Sequence, residues 1–230
     1  VAVPSQDMVL GIYYLTMHKP GDLGEGKCFK SVNEAILAYE NGEITLHAMI
    51  KVRRQDKMTG EQKTIESTLG RFIFNEIIPQ DLGFVDRSKP ENSLLPEIDF
   101  LVGKKQLKPI LEKCINIHGA TKTAETLDAI KSLGYKYSTR AAMTVSISDM
   151  TVPPKKKEII AEAEATVDRI TKNFRRGLLS EEERYKEVIE TWKTNDEILT
   201  KDLLTGLDKY NNIFMMADSG ARGSDKQIKQ

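Results

Sequence analysis

The sequence has few of the residues from which metal sites and nucleophile sites are most often built. Its 230 residues include only two cysteines and three histidines. Cys28 and Cys114 are far apart and belong to no Cys–His cluster with zinc-site spacing, so the sequence predicts no bound metal. Two lone thiols favour a reducing compartment. No group of nearby aspartates suits paired magnesium ions, and no Ser-His-Asp or Cys-His set can be assembled, so we predict no catalytic residue.

An excess of charge and a long apolar run are also missing. Lys plus Arg and Asp plus Glu each number 34, and a formal net charge of zero goes against a free-standing domain that binds duplex nucleic acid. No apolar stretch approaches the ~18 residues that span a bilayer, so no membrane contact is expected. The chain starts at Val1 without Met and stops at Gln230 without an obvious terminator, so we expect a section of a longer protein.

What is present is enough apolar material for a core, arranged first as mixed helix and strand. Hydrophobic residues make up 40% of the chain and charged residues 30%. Residues 9–16 predict a strand or a short buried helix. Ser31 and Glu34 have capping-box spacing and predict the start of a helix. Alternation over residues 44–53 predicts a half-buried strand with His47 on its solvated side.

The middle of the chain turns from strand to helix. A polar turn over residues 57–63 leads into a predicted second strand at residues 64–69. Residues 103–134 have apolar positions at helical spacing, and Gly119 and Gly134 fit helix ends. Alternation over residues 141–148 then predicts another strand. The whole pattern predicts an α+β fold, with a mixed α/β region followed by a long helical hairpin.

The hairpin has the strongest local signals. A heptad seam, Gly177 as a helix stop, and a capping box from Ser180 to Glu183 predict two antiparallel helices of a coiled coil. Residues 155–209 carry twelve Lys or Arg and thirteen Asp or Glu, which favours protein docking over nucleic-acid binding. A plain helix pair buried against the rest of the chain fits the pattern equally well. The seam comprises Ile160, Ala163, Val167, Ile170 and Phe174, and the facing row comprises Tyr185, Ile189, Trp192, Leu199 and Leu203.

The last segment combines an apolar run with a small-residue element. Residues 213–216 are apolar, and the sequence Gly-Ala-Arg-Gly-Ser at residues 220–224 follows. Its glycines would let the backbone approach a ligand, and Arg222 could contact phosphate through two of its guanidinium N–H groups. An ordinary turn is the other interpretation, because glycine often only marks a turn.

Several short motifs occur together, in the same order, in one protein family. The most specific is MMADSGARGS at residues 215–224. With the others, it resembles the largest subunit (beta-prime) of bacterial RNA polymerases over essentially the whole chain. The other motifs are PSQDMVLG and YYLT at residues 4–16, LHA and KVR at residues 46–53, TLGR and NE at residues 68–76, SDM and VP at residues 148–153, and EAEA, ERY and Trp192 in the hairpin.

This resemblance implies a division of the chain into three functional parts. Residues 1–150 correspond to the pore region of the secondary channel, residues 151–210 to the funnel domain with its rim-helix hairpin, and residues 211–230 to a segment that returns toward the active centre. The family's metal-binding loop should precede Val1, so Mg²⁺ would be bound outside this chain. The chain should therefore be inactive alone and act only within a DNA-directed RNA polymerase.

The resemblance also implies partners and site residues. The partners are the rest of beta-prime, the beta, alpha, omega and sigma subunits, nucleoside triphosphates, the RNA 3′ end, DNA, and Gre-type cleavage factors. Arg222 would contact the incoming triphosphate. Phe174, Glu183, Arg184 and Tyr185 would form the regulator docking site, and a cytoplasmic, nucleoid-associated location is expected.

Two other functions fit parts of the pattern. An independent coiled-coil interaction module would explain the heptads but not the ordered motifs at both ends. A separate nucleotide-binding enzyme that uses Arg222 would need a metal site or a second phosphate cradle, and the sequence offers neither.

Overall fold

The computed structural model describes residues 3–55, 60 and 62–229. The chain divides into two compact units. The first comprises Val1–Met143 with Met215–Arg222, and the second comprises Thr144–Phe214 with Gly223–Gln230. Within the described ranges, no helix combines the length and the apolar character needed to cross a membrane. The functional boundaries expected after residues 150 and 210 stay predictions.

The first unit combines helices with a small sheet, which confirms the predicted α+β class. Strand β1 (Cys28–Phe29) pairs in parallel with β2 (Met49–Gln55), and β2 pairs antiparallel with β3 (Gln62–Thr68), with Val52 opposite Ile65. The predicted turn over residues 57–63 falls largely outside the described residues. The elements of this unit are α1 (Asp7–Thr16), β1 (Cys28–Phe29), α2 (Val32–Glu40), β2 (Met49–Gln55), β3 (Gln62–Thr68), α3 (Leu69–Ile77), a 3-10 turn (Pro90–Asn92) and α4 (Lys104–Ala141).

Helix α1 is the centre of this unit, and it is the short buried helix that was one of the two predicted alternatives. Seven of its ten residues are buried. A Cβ on Gly11 would lie 1.8 Å from the carbonyl oxygen of Gly134 in α4, and a Cβ on Gly70 of α3 would lie 1.8 Å from that of Leu15. The backbone of α1 therefore contacts two other helices directly.

Helix α4 corrects two predictions. Gly119, at φ 75°, does interrupt the helix, as predicted, but Gly134 lies inside the second half and packs on α1. The strand predicted over residues 141–148 is wrong, because α4 continues to Ala141 and Ala142 ends it in the left-handed region at φ 47°. Met143 packs against the core, but Val145 and Ile147 are exposed, with Ile147 at 94% in a 3-10 turn (Ile147–Asp149). Alternation without a partner strand does not make a sheet.

The strand predicted over residues 44–53 starts only at Met49, and His47 is not solvated. Ile44, Leu46 and Ala48 are buried as expected, but they lie in bends before β2. His47 is 7% exposed, and its ring packs edge-to-face on Tyr14 at 4.6 Å. Burial lowers its pKa, so the neutral ring is favoured.

The second unit contains the predicted helical hairpin. Helices α5 (Lys156–Arg175) and α6 (Glu181–Gly206) pack on each other and are joined by a turn at Gly177, φ 76°. Ala163 and Ile170 of the α5 seam are buried. Two further helices follow along the chain: α7 (Asn212–Asp218), which the division between units crosses, and α8 (Asp225–Lys229).

The predicted inner face of α6 is wrong over its first half. Tyr185, Ile189 and Trp192 are 63%, 47% and 42% exposed. The hydrophobic pattern was misleading because the side of α6 that is half-buried against α5 includes polar residues. That inner row is therefore less apolar than the exposed outer row. Leu199 and Leu203 are half-buried, in keeping with the prediction. The half-buried row at the start of α6 comprises Arg184, Val188, Thr191 and Asn195.

The glycine contact between α1 and α4 predicts a large difference between two Gly→Ala substitutions. Gly134→Ala would place a Cβ 2.5 Å from the carbonyl oxygen of Met8, so α1 must shift. We expect a loss of about 1–3 kcal/mol in the free energy of unfolding. Gly206→Ala meets nothing within 4 Å and should be neutral or stabilising by less than about 1 kcal/mol. Denaturant unfolding of the chain measures both, and equal effects would contradict the close contact.

Candidate functional site

The hairpin tip is built on the N-terminal cap of α6. The backbone N–H and the hydroxyl of Ser180 both donate to the Glu183 carboxylate at 2.8 Å, and the Glu183 N–H donates back to the Ser180 hydroxyl at 3.3 Å. These bonds hold the pKa of Glu183 below its usual range. The predicted capping box is confirmed, and one oxygen of the Glu183 carboxylate is already engaged in it.

Arg184 is oriented by two neighbours at the same tip. Its guanidinium pairs with Glu181, with the Nε–H donating at 3.1 Å, and its central carbon lies 5.2 Å from the Phe174 ring centroid. The bond to Glu181 raises the pKa of Arg184, and Arg184 in turn lowers the pKa of Glu181. Exposed pairs of this kind contribute little stability, but they orient a side chain. We call Phe174, Glu181 and Arg184 the tip cluster.

Tyr185 lies apart from the tip cluster. It is exposed and borders an open groove along the outer side of α6, with Ile189 and Lys193 further along. Of the four predicted docking residues, the structure therefore brings Phe174 and Arg184 together. Glu183 serves in the cap, and Tyr185 faces outward.

Arg222 lies in a turn just after α7, and this turn belongs to the first unit. Gly220 takes φ 70°, which permits a tight reversal, and the Arg222 N–H donates back to the Met216 carbonyl at 3.1 Å. The Ser219 carbonyl accepts from the Lys104 N–H at 2.9 Å, at the start of α4. Arg222 itself is exposed on this anchored turn. We call residues 219–222 the arginine turn.

A second attachment near the arginine turn could not be found from the sequence. The Tyr13 hydroxyl in α1 donates to the Asp218 carboxylate at 2.7 Å. The two residues are 205 positions apart, so no short motif joins them. Tyr13 also packs with Met17 and Met215 in a small buried cluster.

The described residues contain no group of three or more His, Cys, Asp or Glu side chains that could hold a metal ion. Cys28 is exposed, Cys114 is buried, and both are free thiols. The arrangement at Arg222 offers a cation to an anionic ligand, and the tip cluster offers a ring with a cation over it.

Two family models match the chain. The one described as RNA polymerase Rpb1, domain 3, matches residues 1–150, and the one described as RNA polymerase Rpb1, domain 4, matches residues 179–230. The first alone covers more than half of the chain. The chain therefore belongs to the family of RNA polymerase largest subunits.

Curated relatives define the branch of that family, and they confirm the resemblance seen in the motifs. They are DNA-directed RNA polymerase subunits beta′: 79% identical over 233 residues in Lachnoclostridium phytofermentans, 57% over 232 residues in Clostridium acetobutylicum and 56% over 232 residues in Acetivibrio thermocellus. Each match covers 100% of this chain and 19–20% of the relative. The chain thus spans about a fifth of the length of these relatives. Family membership argues against an interaction module or enzyme unrelated to transcription.

The cap at the hairpin tip predicts a pH dependence of helix stability. Because the folded pKa of Glu183 is depressed, its contribution is present above the unfolded pKa, roughly pH 4, and is lost as the pH falls through the folded value. Glu183→Gln should therefore flatten the acid side of the stability curve, although Glu181 retains part of the slope. Ser180→Ala should act similarly and cost about 1 kcal/mol at neutral pH.

Thermal unfolding followed by helical circular dichroism between pH 6 and pH 3 measures this slope. Tyr185→Phe, two residues further along α6, changes no group that titrates at acid pH and serves as the control. A slope in Glu183→Gln equal to that of the unchanged chain would contradict the assignment.

Proposed function

We propose that this chain is an internal section of a beta-prime subunit that contributes to RNA synthesis only within an assembled, DNA-directed RNA polymerase. The observation that carries the proposal is the match over the whole chain to relatives about five times as long. The partners would be the rest of beta-prime and the beta, alpha, omega and sigma subunits, in the cytoplasm at the nucleoid. On the basis of the family resemblance, the Mg²⁺ of the full enzyme would be bound by residues of the subunit outside this chain.

We assign residues 1–150 to the wall of the secondary channel, through which nucleoside triphosphates enter and into which the RNA 3′ end moves on backtracking. The family resemblance is the basis of this assignment. The direct backbone contacts of α1 with α3 and α4 support it physically, because a channel wall must keep its shape while charged substrates pass.

Arg222 is our candidate for contact with the incoming triphosphate. Its side chain is exposed, while its backbone is tied by the bond from its N–H to Met216. A guanidinium on an anchored turn can offer two parallel N–H donors to phosphate oxygens, and little freedom is lost on binding.

The hairpin is our candidate docking site for Gre-type factors. The tip cluster and the exposed side of α6 provide what protein interfaces use most, namely aromatic rings and an arginine in a fixed orientation. Glu183 has a dual part in this proposal, because its carboxylate caps α6 and also faces solvent at the tip.

Arg222→Ala in the assembled polymerase should raise the apparent KM for nucleoside triphosphates by roughly tenfold or more, since a charge-assisted contact is lost. Arg222→Lys should fall between, because an ammonium keeps the charge but loses the paired geometry. Single-nucleotide addition over a range of triphosphate concentrations measures the effect. Unchanged elongation of Arg222→Ala at low nucleotide concentration would contradict this role.

Arg184→Glu should weaken binding of a Gre-type factor to the assembled polymerase by at least roughly tenfold, measured by calorimetry, because it removes the cation over Phe174. Glu183→Gln retains an acceptor for the cap and tests the charge alone, whereas Glu183→Lys would also break the cap. Lys201→Glu, an exposed charge reversal distant along α6, should change neither factor binding nor basal elongation. Equal weakening by Lys201→Glu and Arg184→Glu would indicate a general charge effect and would contradict docking at the tip.

A further inference from the structure

The bond between Tyr13 and Asp218 joins the centre of the first unit to the end of α7. Asp218 is the last residue of that helix and is exposed, yet its Oδ2 atom accepts from a hydroxyl that is itself part of a buried residue. A bond to an ionised acceptor is shorter and stronger than one between neutral groups. Burial, together with this bond, raises the pKa of Tyr13, so its hydroxyl keeps the proton that it donates.

Helix α1 is a rigid base for that bond. Gly11 in α1 contacts the backbone of Gly134 directly, and the carbonyl oxygen of Leu15 contacts Gly70. A helix held by backbone contacts on two sides cannot rotate or slide without a collision. The Tyr13 hydroxyl therefore has a fixed position relative to α3 and α4.

Hydrogen bonds within residues 218–222 relate the position of Asp218 to that of Arg222. The Ser219 hydroxyl donates to the Met216 carbonyl at 3.0 Å and accepts from the Ala221 N–H at 3.3 Å. The Ser219 carbonyl accepts from Lys104, and the Arg222 N–H bonds to Met216. The arginine turn is thus bonded to α7 and to Lys104, Ala221 within it is buried in the core, and Asp218 just before it is bonded to Tyr13.

We propose that Tyr13 is a positioning residue for triphosphate binding: its hydroxyl, through Asp218, sets the arginine turn and so the location of the Arg222 guanidinium. This inference rests on the proposed contact of Arg222 with the triphosphate. Tyr13 does not touch the substrate itself. A phenylalanine would fill the same space in the small cluster with Met17 and Met215, so the hydroxyl is the part of Tyr13 that carries this role.

The expected defect is in substrate binding. Loss of the Tyr13 bond would leave the end of α7 held by the bond to Lys104 and by the buried Ala221, and with this looser hold Arg222 would spend less time where a triphosphate can meet it. A contact already made in the bound ground state affects KM, while kcat at saturating substrate is little changed. The typical net free energy of one hydrogen bond corresponds to a roughly three- to tenfold increase in KM.

The test uses assembled RNA polymerase that carries Tyr13→Phe, and measures single-nucleotide addition as a function of triphosphate concentration. We expect the KM to rise roughly three- to tenfold, with kcat within about twofold of the unchanged enzyme. Asp218→Asn, made in the otherwise unchanged enzyme, keeps an acceptor oxygen for the Tyr13 hydroxyl and should retain a nearly normal KM. Tyr14→Phe removes a hydroxyl from the next residue of α1, whose ring contacts His47, and should leave KM unchanged.

The double variant Tyr13→Phe/Arg222→Ala distinguishes positioning from general damage. If Tyr13 acts through Arg222, the double variant should have the KM of Arg222→Ala alone. Multiplied effects would overturn the inference, because they would mean that Tyr13 acts by another route. Should Tyr13→Phe fail to assemble, Asp218→Ala removes the same bond from an exposed residue, and a normal KM in that variant would overturn the inference as well.

The two proposals fail in different ways. A raised KM in Arg222→Ala with a normal KM in Tyr13→Phe would overturn the positioning role and leave the triphosphate contact intact. A normal KM in Arg222→Ala would overturn the triphosphate contact, and the positioning role would be overturned with it.

Discussion

The first unit depends on the direct contact of the α1 backbone with its neighbours. Gly11 against Gly134 and Gly70 against Leu15 leave no room for a side chain, so the spacing of three helices is set by backbone atoms. A side chain of another helix also binds the C-terminal end of α1, because the Nε–H of Arg71 in α3 donates to the Thr16 carbonyl at 3.0 Å. A cation at that end complements the helix dipole as well as an open carbonyl. Both α3 and α4 pack on this one short helix.

The hairpin is stabilised in a different way. Its inner surface is only partly apolar, because α6 contributes Arg184, Thr191 and Asn195 to the half-buried row. Local contacts compensate, among them the Ser180–Glu183 cap and the Glu181–Arg184 pair. The outer side of α6, in contrast, carries an apolar row, because Tyr185, Ile189 and Trp192 are exposed there. Large exposed rings on a helix surface are typical of a place where another protein binds.

The sequence predicted best what is decided within a few residues. Ser31 and Ser180 cap their helices as their spacing indicated, and Gly177 ends α5. It failed where a partner distant in the chain decides. Gly134 was interpreted as a helix end because its role, a close approach to Met8 and Gly11, requires a helix more than a hundred residues away. The strand expected at residues 141–148 and the solvated His47 failed for the same reason, since alternation cannot say whether a neighbouring strand or core is present.

The two candidate sites differ in how far along the sequence their contacting residues lie. The contacts that orient Arg184 come from Glu181 and Phe174, which belong to the same hairpin, so the tip keeps its arrangement wherever the hairpin folds. Near Arg222, by contrast, Asp218 accepts from Tyr13 and Ser219 accepts from Lys104, and both donors lie more than a hundred positions earlier in the chain. If Tyr13 positions Arg222 as we propose, a substitution at Gly11 would also affect Arg222 without contacting it. The motif around Arg222 is local, but the residues bonded to it and to Asp218 lie far away in the sequence.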